Sequence, residues 1–362
     1  MRKLIFLILA VCVLAMAVTA QKLPKPTLLS APLSAEETKI LNAGIVHHDA
    51  KRYDDAIAQY DKILAGNADA TIALYEKALS QYAKGDREKA METAYVGAKY
   101  KSDELAMFYS IMANCLDDVG KSDDALKIYR EAESMFKGDI GMARHLASVY
   151  YNIGVTLVRQ KKYAEARAEL KKSVETNFSY ASPHYLLSVV YQGTKYKIPS
   201  FVAAARFLTL EYNSQRAKTA ASILTDVLKP AGKDPKTGSI NIFLDLNAPT
   251  DEGDFGMYDL LLGTLTTFKD EKDKNKTENQ IFVDAVGTVI GLLSEDKKLK
   301  STFIGKEYVP FLTQLKKNGH LESFGYMVLY ISGKEDAMKW LDANNVKFGA
   351  FLEWAKAYQP AK

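Results

Sequence analysis

The chain has 362 residues, 48% of them apolar and 25% charged, which excludes wholesale disorder and a collagen-like fibre. Lysine and arginine number 48 against 44 acidic residues, and a net charge of +4 is too small to suggest nucleic-acid binding without a local basic patch. Two cysteines exclude a disulfide scaffold and a cysteine-based zinc cage.

Residues 1–20 read as a secretory signal. Arg2 and Lys3 precede an uncharged apolar run from Leu4 to Val18, and Val18-Thr19-Ala20 supplies short side chains where signal peptidase cuts, so Gln21 begins the expected mature chain. The run is short for a membrane span, which sets aside a retained anchor, and Val11 is bulky for a lipobox ending at Cys12, which makes lipoprotein anchoring the minor alternative. Cleavage leaves a net charge of +2 and one cysteine, Cys115, on an apolar helix face with Ile111, Met112 and Leu116, where a buried thiol is expected. No second run is long and apolar enough for an integral membrane segment. The expected location is outside the cytoplasm, in the periplasm or at the cell surface.

Residues 21–36 carry three prolines and no helical period, as in a Pro-rich linker. From Glu37 helical stripes alternate with short turns at a fixed spacing. Four copies run from Leu41 to Leu64, Leu74 to Ala98, Tyr109 to Ala132 and Tyr151 to Val174. Each places a small residue on its first helix (Gly44, Ala78, Ala113, Gly154) and an alanine twelve positions later on its second (Ala56, Ala90, Ala125, Ala166). Those alanines recur after 34, 35 and 41 residues, with turns at Lys51-Arg52, Gly85-Asp86, Gly120-Lys121 and Lys161-Lys162. Small residues at facing positions let two helices approach closely.

On these residues the chain resembles the tetratricopeptide-repeat family, whose helix–turn–helix unit is about 34 residues long. An aromatic four positions after the alanine is present as Tyr60 and Tyr129, whereas Ala94 and Leu170 depart from the pattern, and the closing proline is absent from all four copies. A looser fifth copy places Ser188 34 residues after Gly154, and its second helix starts around Pro199. The longer third interval predicts extra chain around Lys137-Gly138-Asp139. The resemblance covers residues 37–214 and implies an all-α fold, an α-solenoid of about five repeats.

Residues 215–237 read as a helix followed by a linker, and 238–362 as a mostly helical C-terminal domain without a repeat period. A short strand or extended connector is expected at Ser239–Leu246. Helices are expected at Met257–Phe268, Gln280–Leu293, Tyr308–Lys317, Leu321–Ile331 and Lys334–Asp342, and an aromatic-rich one around Phe348, Phe351, Trp354 and Tyr358. The whole layout resembles secreted tetratricopeptide-repeat proteins of Bacteroidota type.

The motif search is largely negative. There is no nucleophile elbow, Walker A loop, dinucleotide fingerprint or zincin motif. His47 and His48 are adjacent and point to different helix faces, so they cannot share a metal, and no metal or cofactor is expected. In the repeat frame His47 faces its partner helix and His48 the groove. Asp273 and Asn275 form only a fragment of a calcium loop.

In the family that the array resembles, first helices line a concave groove that contacts a peptide or protein partner. Carried onto this chain, the groove residues are Leu41, Ile45, His48 and Asp49, then Tyr75, Leu79 and Tyr82, then Ser110, Asn114, Asp117 and Asp118. Tyr151, Val155 and Arg159 follow, and Tyr185, Val189 and Gln192 complete the line. Tyrosines give large contact area at low entropy cost, and Asp117-Asp118 make an acidic centre. The expectation is a non-catalytic scaffold or adaptor binding a protein or peptide and no nucleic acid. Tyr82→Ala with Asp117→Lys suggests itself as the test. An exported enzyme built on Asp251, Glu252, Asp254 and His320 is the alternative, and a purely structural role, the groove filled by the protein's own C-terminal domain, is a third reading.

Overall fold

The computed structural model describes residues 23–229, 249–265 and 273–360; the expected signal, the connector at Ser239–Leu246 and the end of the expected helix at Phe268 lie outside them. The chain divides into two compact units, Met1–Lys162 and Tyr163–Lys362.

The first unit holds α1 (Ala35–Asp49), α2 (Tyr53–Gly66), α3 (Thr71–Lys84), α4 (Arg87–Gly97), α5 (Leu105–Asp117), α6 (Ser122–Phe136) and α7 (Ala143–Arg159). Ser34 and Glu37 start α1 with a reciprocal capping box. The small residues do what their spacing predicts. Ala56, Ala78, Ala90, Ala113 and Ala125 are wholly buried, and a Cβ on Gly44 would come within 2.4 Å of the Tyr60 ring. The longer third interval is spent on a left-handed Gly138 and a 3-10 turn at Ile140–Met142.

The turn inside each helix pair is one motif used repeatedly. In this unit its left-handed residue is Lys51, Gly85, Gly120 or Lys161, with φ of 59°, 93°, 78° and 61°. In each, that amide donates to the carbonyl three residues back, and the next amide donates to the carbonyl five back, as for Gly85 to Tyr82 and Asp86 to Gln81. These bonds satisfy carbonyls that a helix end otherwise leaves open.

The stretch expected as a free linker is docked. Strand β1 (Leu28–Leu29) pairs in parallel with β2 (Tyr100–Lys101), the Ala31 amide donates to the Asp69 carbonyl, and Asn67 donates to the Pro32 carbonyl. Leu23 is buried, and Tyr109 donates to the Pro24 carbonyl. Prolines lack amide donors, yet their carbonyls and neighbouring amides are taken up by the inter-repeat turns.

The second unit holds α8 (Tyr163–Thr176), α9 (Ala181–Gly193), α10 (Lys197–Leu210), α11 (Gln215–Val227), α12 (Gly256–Leu265), α13 (Glu278–Glu295), α14 (Val309–Lys317), α15 (Leu321–Ile331), α16 (Glu335–Ala343) and α17 (Asn345–Ala357). Lys195, with φ of 67°, repeats the left-handed turn between α9 and α10. A π-helical turn at Ile304–Tyr308 leads into α14. At the centre of the unit is Arg206, wholly buried, whose guanidinium lies over Phe178 and Phe311 at 4.6 and 4.7 Å and donates to the Ala355 carbonyl at 2.8 Å. Burial pulls its pKa down to about 9. His184 lies beside it, its Nδ1 2.9 Å from the Tyr308 hydroxyl, and burial with the Arg206 charge pulls its pKa down to about 3. Here the C-terminal helices cover the helices of the fifth helix pair.

Candidate functional site

In the first unit, side chains of the first helices are tied to one another from repeat to repeat. Between α1 and α3, His48 Nδ1 lies 2.8 Å from Ser80 Oγ. At the end of α3 the Tyr82 hydroxyl donates to Asp118 at 2.8 Å, and Arg87 donates to the same carboxylate at 2.9 Å. Between α5 and α7, Asn152 donates to Ser110 at 2.6 Å and Arg159 donates to Asp117 at 2.5 Å. Ser122 also donates to Asp117, whose side chain is only 3% exposed. Spacings near one repeat length make these pairs possible, because equivalent helix positions become neighbours when repeats stack.

The electrostatics follow. Burial and the hydrogen bond to Asp118 push the Tyr82 phenol up to about 12, against the opposing Arg87 charge. The bond to Asp117 holds the Arg159 guanidinium more firmly protonated. The acidic centre expected at Asp117-Asp118 therefore has its charge met within the unit, by Arg159 and Arg87. Asp117→Lys would break a joint between repeats, so the double variant suggested by sequence does not test binding alone.

Tyr75 is partly buried edge-on against Phe108, with ring centroids 6.3 Å apart. Asn114 is partly exposed and makes no side-chain hydrogen bond among the described residues. Tyr151 is partly exposed on α7 and has a partner of its own. Tyr185 lies in the second unit, packed on Phe207 at 5.1 Å with Arg216 over its ring at 5.3 Å. Eight of the nine expected site residues thus belong to the first unit, and Tyr185 serves packing in the second.

One residue of this face escapes the sequence reading. Glu76, on α3 beside Tyr75, is partly buried and makes no hydrogen bond or ion pair among the described residues. Burial, then the like charges of Asp49 and Glu104, push its pKa up. A signal was present: Ile72, Ala73, Leu79 and Ser80 occupy the positions three and four away, so no cation on its own helix can pair with it.

Of the enzyme candidates, Asp251 and Glu252 both pair with Arg167, at 3.0 and 3.6 Å. Asp251 accepts hydrogen bonds from Tyr196 and Arg167, which hold its carboxyl below the usual range although burial opposes them. Glu252 is buried and accepts from Lys171 at 2.9 Å, and Asp254 accepts from the Gly256 amide. His320 packs against Trp354 with ring centroids 4.9 Å apart, and burial lowers its pKa. Cys115 is buried, and burial pushes its thiol up to about 12, which makes it unreactive. Among the described residues no group of three His, Cys, Asp or Glu side chains is placed to hold a metal, and no helix is long and apolar enough to cross a membrane.

Family models described as tetratricopeptide repeat match residues 41–103 and 147–180. No curated protein matches the chain. Among solved structures, a thermophilic tetratricopeptide-repeat protein from Thermus thermophilus is 18% identical over 52% of this chain and 99% of its own, with a TM-score of 0.42. The protein pilF from Pseudomonas aeruginosa is 16% identical over 53% of this chain and 83% of its own, with a TM-score of 0.41. The C-terminal part of a repeat protein from Cytophaga hutchinsonii is 12% identical over 83% of this chain and 99% of its own, with a TM-score of 0.35. At these TM-scores the likenesses carry no argument; the family models and the helix-pair geometry carry the assignment.

Proposed function

Since the chain is a tetratricopeptide-repeat protein, all-α in fold, we propose that it is a non-catalytic scaffold whose first unit binds a peptide or protein segment along its first helices. One observation carries this reading. Next to paired, structural polar groups, α3 presents Tyr75, Leu79 and an unpaired Glu76 together on a partly exposed face. A face serving only the fold has no use for a half-buried carboxylate without a partner, since that charge costs stability. Export to the periplasm or cell surface is part of the proposal and rests on residues 1–20.

The test is a photocrosslinking amino acid placed at Leu79, and for comparison at exposed Lys62 on α2, in cells that make the protein. A discrete adduct from Leu79 that is absent from Lys62 is expected. Equal labelling from both positions, or none from Leu79, contradicts the reading.

A further inference from the structure

Glu76, partly buried, stands apart from Asp117 and Asp118 because its charge is unmatched. Asp117 has Arg159, Asp118 has Arg87, and the one lysine next to Glu76 in sequence, Lys77, pairs with Asp61 at 2.6 Å. Its charged neighbours Asp49, on α1, and Glu104, just before α5, have the same sign. Asp49 is exposed, and Glu104 accepts a hydrogen bond from Thr71 at 2.9 Å. Tyr60 is wholly buried beside Ser80, which is itself engaged by His48. The Tyr60 phenol is raised by burial and then by Glu76, against a lowering hydrogen bond with Ser80, which places it near the Glu76 carboxylate.

Tyr75 and Leu79, both partly buried, share a face of α3 with this charge, whereas Ile72 packs against the core of the first helix pair. An aromatic ring and an aliphatic side chain beside one partly buried carboxylate match the stem and head of a long basic side chain. The negative face repels phosphates, and no three-ligand group for a metal ion is present among the described residues. We propose, resting on the scaffold reading above, that the segment bound by the first unit carries a lysine or arginine whose cation pairs with Glu76 while its methylenes lie on Tyr75 and Leu79.

The experiment pans a random peptide library on the immobilised full chain and measures the enriched peptides on the wild type, Glu76→Gln and Leu79→Gln. Glu76→Gln keeps the shape and removes the charge, and circular dichroism checks that both variants fold. The expected peptides share a basic residue at one fixed position, and bind Glu76→Gln about tenfold more weakly, the effect of losing one close charge pair. Peptides without a fixed basic position that still lose affinity on Leu79→Gln overturn the cation and leave the binding face standing. Peptides insensitive to both substitutions, or a library with no enrichment, overturn the cation and the face together.

Discussion

Asp117 and Arg159, on the first helices of successive repeats, are joined at 2.5 Å with the carboxylate 3% exposed and the guanidinium 52% exposed. The pair is half a buried salt bridge: the acid is desolvated, and the base still reaches water. Removing the base strands a desolvated acid with Ser122 as its remaining donor, which costs more than removing the acid and leaving a base that reaches water, and reversing the acid costs most. Asp117→Lys sets two cations together at a joint between repeats and is expected to lower stability by about 3 kcal/mol in urea unfolding. An unchanged midpoint would show that the pair is ornamental.

Much of the first unit was legible because it is local. The alternation of Gly44 with Ala56, or Ala113 with Ala125, fixes which helix faces meet, and each of the four turns falls where the sequence changes to Lys or Gly. The pairing of Asp117 with Arg159 was not legible, because an acidic pair in the text shows charge and not the base that stacking brings from 42 residues away. The docking of residues 23–33 was hidden for the same reason, since their partners at Asn67, Asp69 and Lys99–Lys101 are set by the order of the turns. In the second unit nothing local announces that Arg206 is buried among Phe178, Phe311 and Tyr358.

Gly44 permits a close approach that no side chain can replace. A methyl there meets the Tyr60 ring at 2.4 Å, and Tyr60 is wholly buried and cannot swing away into solvent. Gly44→Ala is expected to lose about 1–3 kcal/mol by overpacking, in spite of the better helix propensity of alanine. Calorimetry that shows a raised Tm instead would mean that the first pair is looser than described.

Lys161 holds φ at 61° in the turn after α7, where Gly85 and Gly120 serve in two other pairs. A side chain in the left-handed region costs about 1 kcal/mol, partly offset by the greater freedom of glycine when unfolded. Lys161→Gly is thus expected to raise stability by up to about 1 kcal/mol, and Gly85→Ala to lower it by a similar amount. Both changes are read from denaturant midpoints, and the reverse order would refute the strain argument.

Folding raises the Glu76 pKa, so its ionised form costs stability. That cost is absent while the group is protonated in both states, grows as pH rises through the ordinary glutamate range, and is complete above the raised value. Glu76→Gln is therefore expected to unfold at a higher temperature than the wild type at pH 7, with the two curves converging below about pH 4. A variant less stable at pH 7 would mean that Glu76 has a partner inside the fold.

The claim that a basic side chain of the partner sits on Glu76 is met most directly by zero-length carbodiimide coupling. A lysine-bearing peptide enriched from the random library is coupled to the full chain, and the joined residues are read by mass spectrometry. The account predicts an amide between the peptide lysine and the Glu76 carboxyl, lost on Glu76→Gln. Coupling spread over exposed acids of the second helices, such as Glu88 and Glu92, with Glu76 unmodified, would contradict it.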